Sequence, residues 1–517
     1  MYVTSYLKLN FTIGAHFVIH LSAFLYILSN RDVGGDLSSS SKDSPSFSSD
    51  VGYVTISTKA GLVQGLTMES GAGMVTTLFL GVPYARPPVG SLRFRDPQRH
   101  PGWVVNTIIN ATSWMPECPH AAIDRRHRCP NLAEDGLAKE DSNEDCLYVD
   151  IYIPGNLSST QYINTLELPV LVIFNGGGYF HGQSMGNEPT SALPGGWRSA
   201  HYGGMIIVGV EYRTGVLGFL TLPDGISSGN NGLKDQKQAL HWIWDNIREF
   251  GGSPEKITLF GDWSAGDSIG FHVLSPQSRA FFVRAISQGS TFLSGRLLQT
   301  NPKRMMSALA ERISCARNTT AAVVECLQDA PLSHLLTASV DVQLDYSAWT
   351  PTVDGQFITK NPLEVLREEG SSTIDLMIGI SRSDGLCEAE QNPSLERDAV
   401  GDAGTSSKSF DNIVAETILK TFKISDVSAN TDHCISAAIL EYTSCSAADD
   451  VVQRTVDFFA DFYFFAPAEL LARLASRFDR RVYFYGLSGS SCCQTISKVT
   501  EHSNTLVNSM VNFIRNG

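Results

Sequence analysis

The sequence predicts an α/β protein with one large, mostly parallel central sheet and helices on both faces. Three observations carry this. Two apolar runs, "LPVLVIFNGGG" and "GMIIVGVEYR", have the composition of strands buried on both sides. Between "GMIIVGVEYR" and the next strand lies "LKDQKQALHWIWDNIREF", where Leu240, Ile243 and Ile247 fall on one helical face. Then "KITLFG" reads as a strand that turns directly into a helix, "SIGFHVLS". Strand and helix in alternation feed a parallel sheet covered on both faces. With 517 residues, 43% of them hydrophobic, the chain can fill the core that such a sheet needs.

From the N-terminus, Lys8, the apolar run Phe11–Leu28 and Arg31 have the form of a secretory signal, so residues 1–30 are expected to be a signal peptide. An uncleaved N-terminal signal anchor is the alternative, and His16 and His20 inside the run weigh against it. Residues 31–51, with "DLSSSSKDSPSFSSD", read as a Ser-rich linker. Alternating apolar residues start at "YVTISTKAGLVQGL", which predicts early strands and opens a single domain over residues 52–517. "RVYFYGL" is expected to be a late strand of the same sheet. No comparable apolar run follows the first, so no C-terminal membrane anchor is expected.

Export agrees with ten cysteines. Asn110-Ala-Thr, Asn156-Leu-Ser and Asn318-Thr-Thr are N-glycosylation sequons, weak signals singly and stronger behind a signal peptide. The expected location is extracellular. A net charge of −14 argues against nucleic acid or an anionic membrane as the main partner. No Cys/His spacing suggests a zinc site, and neither metal nor cofactor is expected.

"NEDCLYVDIYIP", preceded by "FLGVPYARPPVGSLRF" and followed by "GNNGLKDQKQALHWIWDNIREFGGSPEKITLFG", carries a resemblance. From about residue 53 onward, and less closely after about residue 390, the chain resembles the type-B carboxylesterase and cholinesterase family. That resemblance implies an α/β-hydrolase fold, usually secreted, which cleaves carboxylic esters through a serine, an acid and a histidine. "NGGGYFHG" matches the family's glycine-rich oxyanion loop and implies Gly177 and Gly178 as backbone donors. A plain strand-end turn is the other reading of three glycines. Cys118 with Cys146, and Cys315 with Cys326, match two family disulfides. The family's choline-binding tryptophan lies in the first of these loops. Here the loop holds no Trp, Tyr or Phe, which makes choline esters poor candidates.

The catalytic positions depart from the family pattern. "GDWSAGD" stands where Gly-x-Ser-x-Gly is expected, with Gly261 and Gly266 one residue too far apart. The anchors "TLFG" and "FHVLSP" are spaced without a gap, which places Trp263 on the nucleophile position. For Ser264 to serve instead, the following helix must rotate by about 100°, and Asp262 would fall where the turn wants glycine. Replacement by Trp263 is therefore favoured over a slipped Ser264. Asp384, in "IGISRSDGLCE", aligns with the acid, and a solvated loop aspartate is the equal alternative. His502, in "TEHSNTLVNSM", lies at the histidine's distance beyond the late strand but lacks its context, and a surface histidine opening a helix competes with it. The chain also stops at "NFIRNG" where the family continues, so the domain is expected to be C-terminally incomplete.

Two functions stay open. One is a secreted non-hydrolytic member that binds an extracellular protein or a small apolar ester-like ligand, as the resemblance to neuroligins and glutactin suggests. The other is an active carboxylic ester hydrolase using Ser264, Asp384 and His502. The first is preferred, and oligomeric state is not inferable.

Overall fold

The computed structural model describes residues 52–69, 73, 75–103, 107–120, 142–157, 166–174, 200, 203–222, 229–294, 298–299, 301–345, 349–368, 374–382, 384–390, 406–422, 429–444, 451–478, 480–487 and 501–517. Its centre is an 11-stranded sheet. The strands are β1 (Gly52–Thr58), β2 (Gly61–Glu69), β3 (Val75–Pro83), β4 (Ile108–Asn110), β5 (Tyr148–Pro154), β6 (Leu168–Phe174), β7 (Ile206–Val210), β8 (Gly252–Asp262), β9 (Arg284–Gln288), β10 (Asp375–Ser381) and β11 (Val482–Leu487). Their order is β1-β2-β3-β5-β7-β6-β8-β9-β10-β11, with β4 beside β2. Pairing is antiparallel from β1 to β7 and parallel from β7 through β6 to β11. The expected early strands form the β1–β2 hairpin, and "RVYFYGL" supplies β11 at the parallel edge.

Alternation along β6 explains the two layers of helices. Val170, Val172 and Phe174 point into one core, while Leu171 and Ile173 point into a second on the opposite face. All five are fully buried, so helices must cover both faces. On the first face lie α1 (Gly215–Phe219), α2 (Asn231–Asn246) and α3 (Ser264–Leu274), with Leu240, Ile243 and Ile269 facing the sheet. A helical excursion follows: α4 (Pro302–Arg312), α5 (Thr320–Asp329), α6 (Leu332–Asp345) and α7 (Pro362–Glu368).

Beyond β10 come α8 (Asp384–Glu390), α9 (Ser406–Phe422), α10 (Ala429–Ser444) and α11 (Val451–Phe459). They share a satellite core around Phe410, Val456, Phe458 and Phe459. A π-turn, Ala460–Phe465, joins α11 to α12 (Ala466–Ala475). Last, α13 (Glu501–Asn516) packs Met510, Phe513 and Ile514 onto the second face of the sheet. Both expected disulfide pairs are joined: Cys118–Cys146, Cα–Cα 4.9 Å, and Cys315–Cys326, Cα–Cα 5.6 Å.

Among the described residues, no helix is long and apolar enough to cross a membrane. Residues 1–30 and 31–51, read as signal and linker, lie outside the described residues.

Candidate active site

Parallel strands bring their C-terminal ends to one edge of the sheet, where open α/β sheets place ligands. β8 runs to Asp262 and α3 starts at Ser264, which leaves Trp263 alone at the corner. Its backbone has φ 53° and ψ −123°. A bulky side chain at positive φ is strained by about 1–3 kcal/mol, so something must hold it. The Trp263 N–H donates to the Gln288 carbonyl at 2.9 Å, and its own carbonyl accepts the Asp267 N–H at 3.2 Å. Close approach supplies the rest. A Cβ on Gly261 would lie 2.3 Å from the Ala265 carbonyl oxygen, so only glycine fits two residues before Trp263. Ala265, two residues after, is the other small flank. The small–x–x–x–small frame of the turn is therefore centred on Trp263.

Ser264 is the first residue of α3 and is buried. The helix that follows is pinned by its polar side chains. Asp267 accepts a bond from the Ser290 hydroxyl at 2.7 Å, and Ser287 donates to the Gly266 carbonyl at 2.9 Å. These bonds tie the first turn of α3 to β9 and the loop after it. Rotating α3 to re-aim Ser264 would break them.

Around the corner sits a buried polar row: Asp262 ends β8, Gln288 ends β9, Asp384 opens α8 just after β10, and Tyr485 lies in β11. The Tyr485 hydroxyl donates to Gln288 Oε1 at 3.2 Å. Burial, with the carboxylates of Asp262 and Asp384 adding to it, pushes the Tyr485 phenol well above its ordinary pKa, so it stays a neutral donor. Asp384 opens α8 and is only 2% exposed, which removes the solvated-loop alternative for this residue. Its Oδ2 accepts the Ser381 N–H at 2.8 Å. On the other side, the Trp263 indole meets Phe464 edge to face, ring centroids 6.3 Å apart and planes at 71°. Phe464 belongs to the π-turn, a feature that often marks functional sites. Gln288, Tyr485 and Phe464 escaped the sequence reading.

His502 is the second residue of α13, and its side chain lies outside the described residues. Gly177 and Gly178 also lie outside them. Asn110, Asn156 and Asn318 are all exposed. Among the described residues, no group of three or more His, Cys, Asp or Glu side chains could hold a metal ion.

A sheet of this order, with a strand–corner–helix at its centre and a buried acid two strands away, defines an α/β-hydrolase fold. The family model for the carboxylesterase family matches residues 52–507, and the chain belongs to that family. It is similar to human neuroligin-2, with 31% identity over 460 residues, covering 84% of this chain and 53% of the relative. It is likewise similar to rat carboxylesterase 1C, with 31% identity over 413 residues, 79% of this chain and 70% of that protein. Mouse neuroligin-3 is 30% identical over 445 residues, 81% of this chain and 52% of the relative. The chain spans about half the length of the neuroligins it matches.

Proposed function

We propose that this protein is a secreted, glycosylated member of the carboxylesterase family that does not hydrolyse esters and acts by binding an extracellular protein. One observation carries the reading: Trp263, not Ser264, adopts the φ 53° corner between β8 and α3. An indole offers no group that an acyl carbon could be transferred to, and Ser264 one residue later is committed to a helix. Asp384 supports an inherited rather than a working site. Its buried place just after β10 suits the acid of a triad, which would orient an imidazole, yet Trp263 at the corner offers that imidazole no hydroxyl to deprotonate. Asn110, Asn156 and Asn318 are the glycosylation sites of this reading, and Gly177 and Gly178 the remnant of the oxyanion loop.

The test is a fluorophosphonate probe on the protein collected from the medium, with adducts mapped by peptide mass spectrometry. No adduct, and no turnover of p-nitrophenyl esters above buffer, is the expected result. An adduct on Ser264 would overturn it in favour of an ester hydrolase using Ser264, Asp384 and His502.

A further inference from the structure

The two disulfides have opposite surroundings. Cys118 and Cys146 are both 0% exposed, sealed in the main core. Cys315, just after α4, is buried, but its partner Cys326, in α5, is only half-buried. Both line a surface cavity of about 950 Å³ between α4, α5 and α6. A small reactant can therefore reach the second bond and not the first.

A cation is fixed at the accessible sulfur. Arg317 Nη1 donates to the carbonyls of Ser314 and Ala316 at 2.9 and 2.8 Å, beside Cys315. That clamp aims Nη2 at Cys326 Sγ, 3.4 Å away. Carbonyl and sulfur partners do not neutralise the guanidinium charge. Glu325, Asp329 and Asp341 also line the cavity, but all three are exposed, where water and salt screen them. Of these charges, the guanidinium is the one bonded to the sulfur.

We propose that Cys315–Cys326 is a thiol-exchange site: a small-molecule thiol of the glutathione class joins to Cys326, a second removes it, and the loop 313–319 is freed while the fold stays intact. In the first step a thiolate attacks Cys326 Sγ, the S–S bond breaks, and Cys315 leaves as a thiolate. In the second, another thiolate attacks the reagent's sulfur in the mixed disulfide and expels the Cys326 thiolate, which Arg317 stabilises by a charge-assisted hydrogen bond. Two external thiols are thereby oxidised to one disulfide, and their protons end on Cys315 and Cys326. Both helices keep their seats without the bond. Val323, Val324 and Leu327 of α5, and Met305 and Leu309 of α4, are buried in the main core. Arg93 Nη1 also holds the carbonyls of Gln328 and Ala330 at the end of α5, at 2.8 and 2.7 Å. Exchange here is independent of whether Trp263 abolishes hydrolysis.

The experiment uses the full secreted chain with its free thiols, Cys434 among them, first blocked by iodoacetamide. Reduced glutathione is added, new thiols are trapped over time with N-ethylmaleimide, and unreduced digests are read by mass spectrometry. Cys315 should take the maleimide first, with glutathione on Cys326, and Cys326 should follow, both ahead of Cys118 and Cys146. The order should hold after enzymatic deglycosylation, which removes any glycan at Asn318 in the same loop. Arg317→Gln should slow the appearance of the Cys326 thiol about fivefold, and Arg317→Lys should recover part of the rate. If access alone mattered, shortening residue 317 would leave the rate unchanged or raise it. Urea unfolding should show both variants folded. Opening of Cys118–Cys146 first or at the same time, glutathione on Cys315, a folded Arg317→Gln protein exchanging at the parental rate or faster, or loss of near-ultraviolet circular dichroism as the bond opens would each overturn the proposal.

Discussion

Replacing Asp150 by asparagine should stabilise this protein at neutral pH. Asp150 lies in the middle of β5, only 8% exposed, and one of its oxygens accepts the Gly81 N–H at 2.7 Å. Gly81 sits at the irregularity where β3 slips register against β5, so the carboxyl serves a ladder N–H that the neighbouring strand leaves over. Burial raises its pKa from 3.8 to about 7, and the Gly81 bond only partly offsets this. A raised folded-state pKa means that the native protein holds a proton the unfolded chain has already released. Stability therefore falls as pH rises from the unfolded pKa to the folded one, and levels off above it. Each pH unit in that window is worth about 1.4 kcal/mol, so the loss saturates near about 4 kcal/mol, of which about 2–3 falls between about pH 5 and about pH 8. Asparagine keeps an oxygen for Gly81 and has no charge to bury. Urea unfolding followed by tryptophan fluorescence should show Asp150→Asn ahead of the parent at pH 8, with the gap closing as the pH is lowered towards 4. A gap that does not change with pH, or a variant less stable than the parent at pH 8, would refute the reasoning.

Arg213 and Asp235 form a bidentate pair, both bonds 2.7 Å, with side chains 3% and 0% exposed. Arg213→Met should cost about 3–5 kcal/mol in urea unfolding, and adding Asp235→Leu should recover much of it, because the loss is that of a stranded buried charge. Removing Cys118–Cys146, which closes 28 residues, should destabilise more than removing Cys315–Cys326, which closes 11. Loop entropy puts the difference at about 0.8 kcal/mol, readable from paired melting curves once non-reducing peptide maps have located both bonds. Trp263→Ser should restore little esterase activity on p-nitrophenyl butyrate, since triad members act as a unit. Robust turnover by that variant would show that the base and the oxyanion donors are intact. Enzymatic deglycosylation of protein from the medium should lower its apparent mass, with Asn110, Asn156 and Asn318 as the modified residues.

The fold was legible where burial is strongest. "LPVLVIF" and "IIVGV" are apolar because both faces of β6 and β7 are covered, and nothing but a sheet between helical layers asks for that. Less legible was the helical half beyond β10. Much of α10 is exposed, so its apolar residues mark a thin contact with the satellite core rather than a clear face. The π-turn at Ala460–Phe465 has no local signal, because long-range packing sets it. Phe464 reaches Trp263, and a Cβ on Gly486 would lie 2.9 Å from the Phe465 ring.

At the site, Trp263 stands at the corner between β8 and α3, and the reason is mechanical. The corner at residue 263 is fixed by groups other than its own side chain. Gly261 allows the Ala265 carbonyl to come close, Gln288 takes the Trp263 N–H, and a Cβ on Gly289 would lie 3.0 Å from Asp262 Oδ1 and 3.5 Å from the Trp263 ring. None of these contacts requires a hydroxyl at the corner. Sequence can therefore lose the nucleophile while the anchors on either side keep their spacing, and the spacing, not the serine, tells which residue the turn presents. Gln288 and Tyr485 complete the row from β9 and β11, and only the sheet order makes them neighbours of Asp262 and Asp384. The buried Asp384 and the neutral Tyr485 phenol pack on this side of the sheet. The fold around residue 263 is therefore held by contacts that do not depend on which side chain stands at the corner.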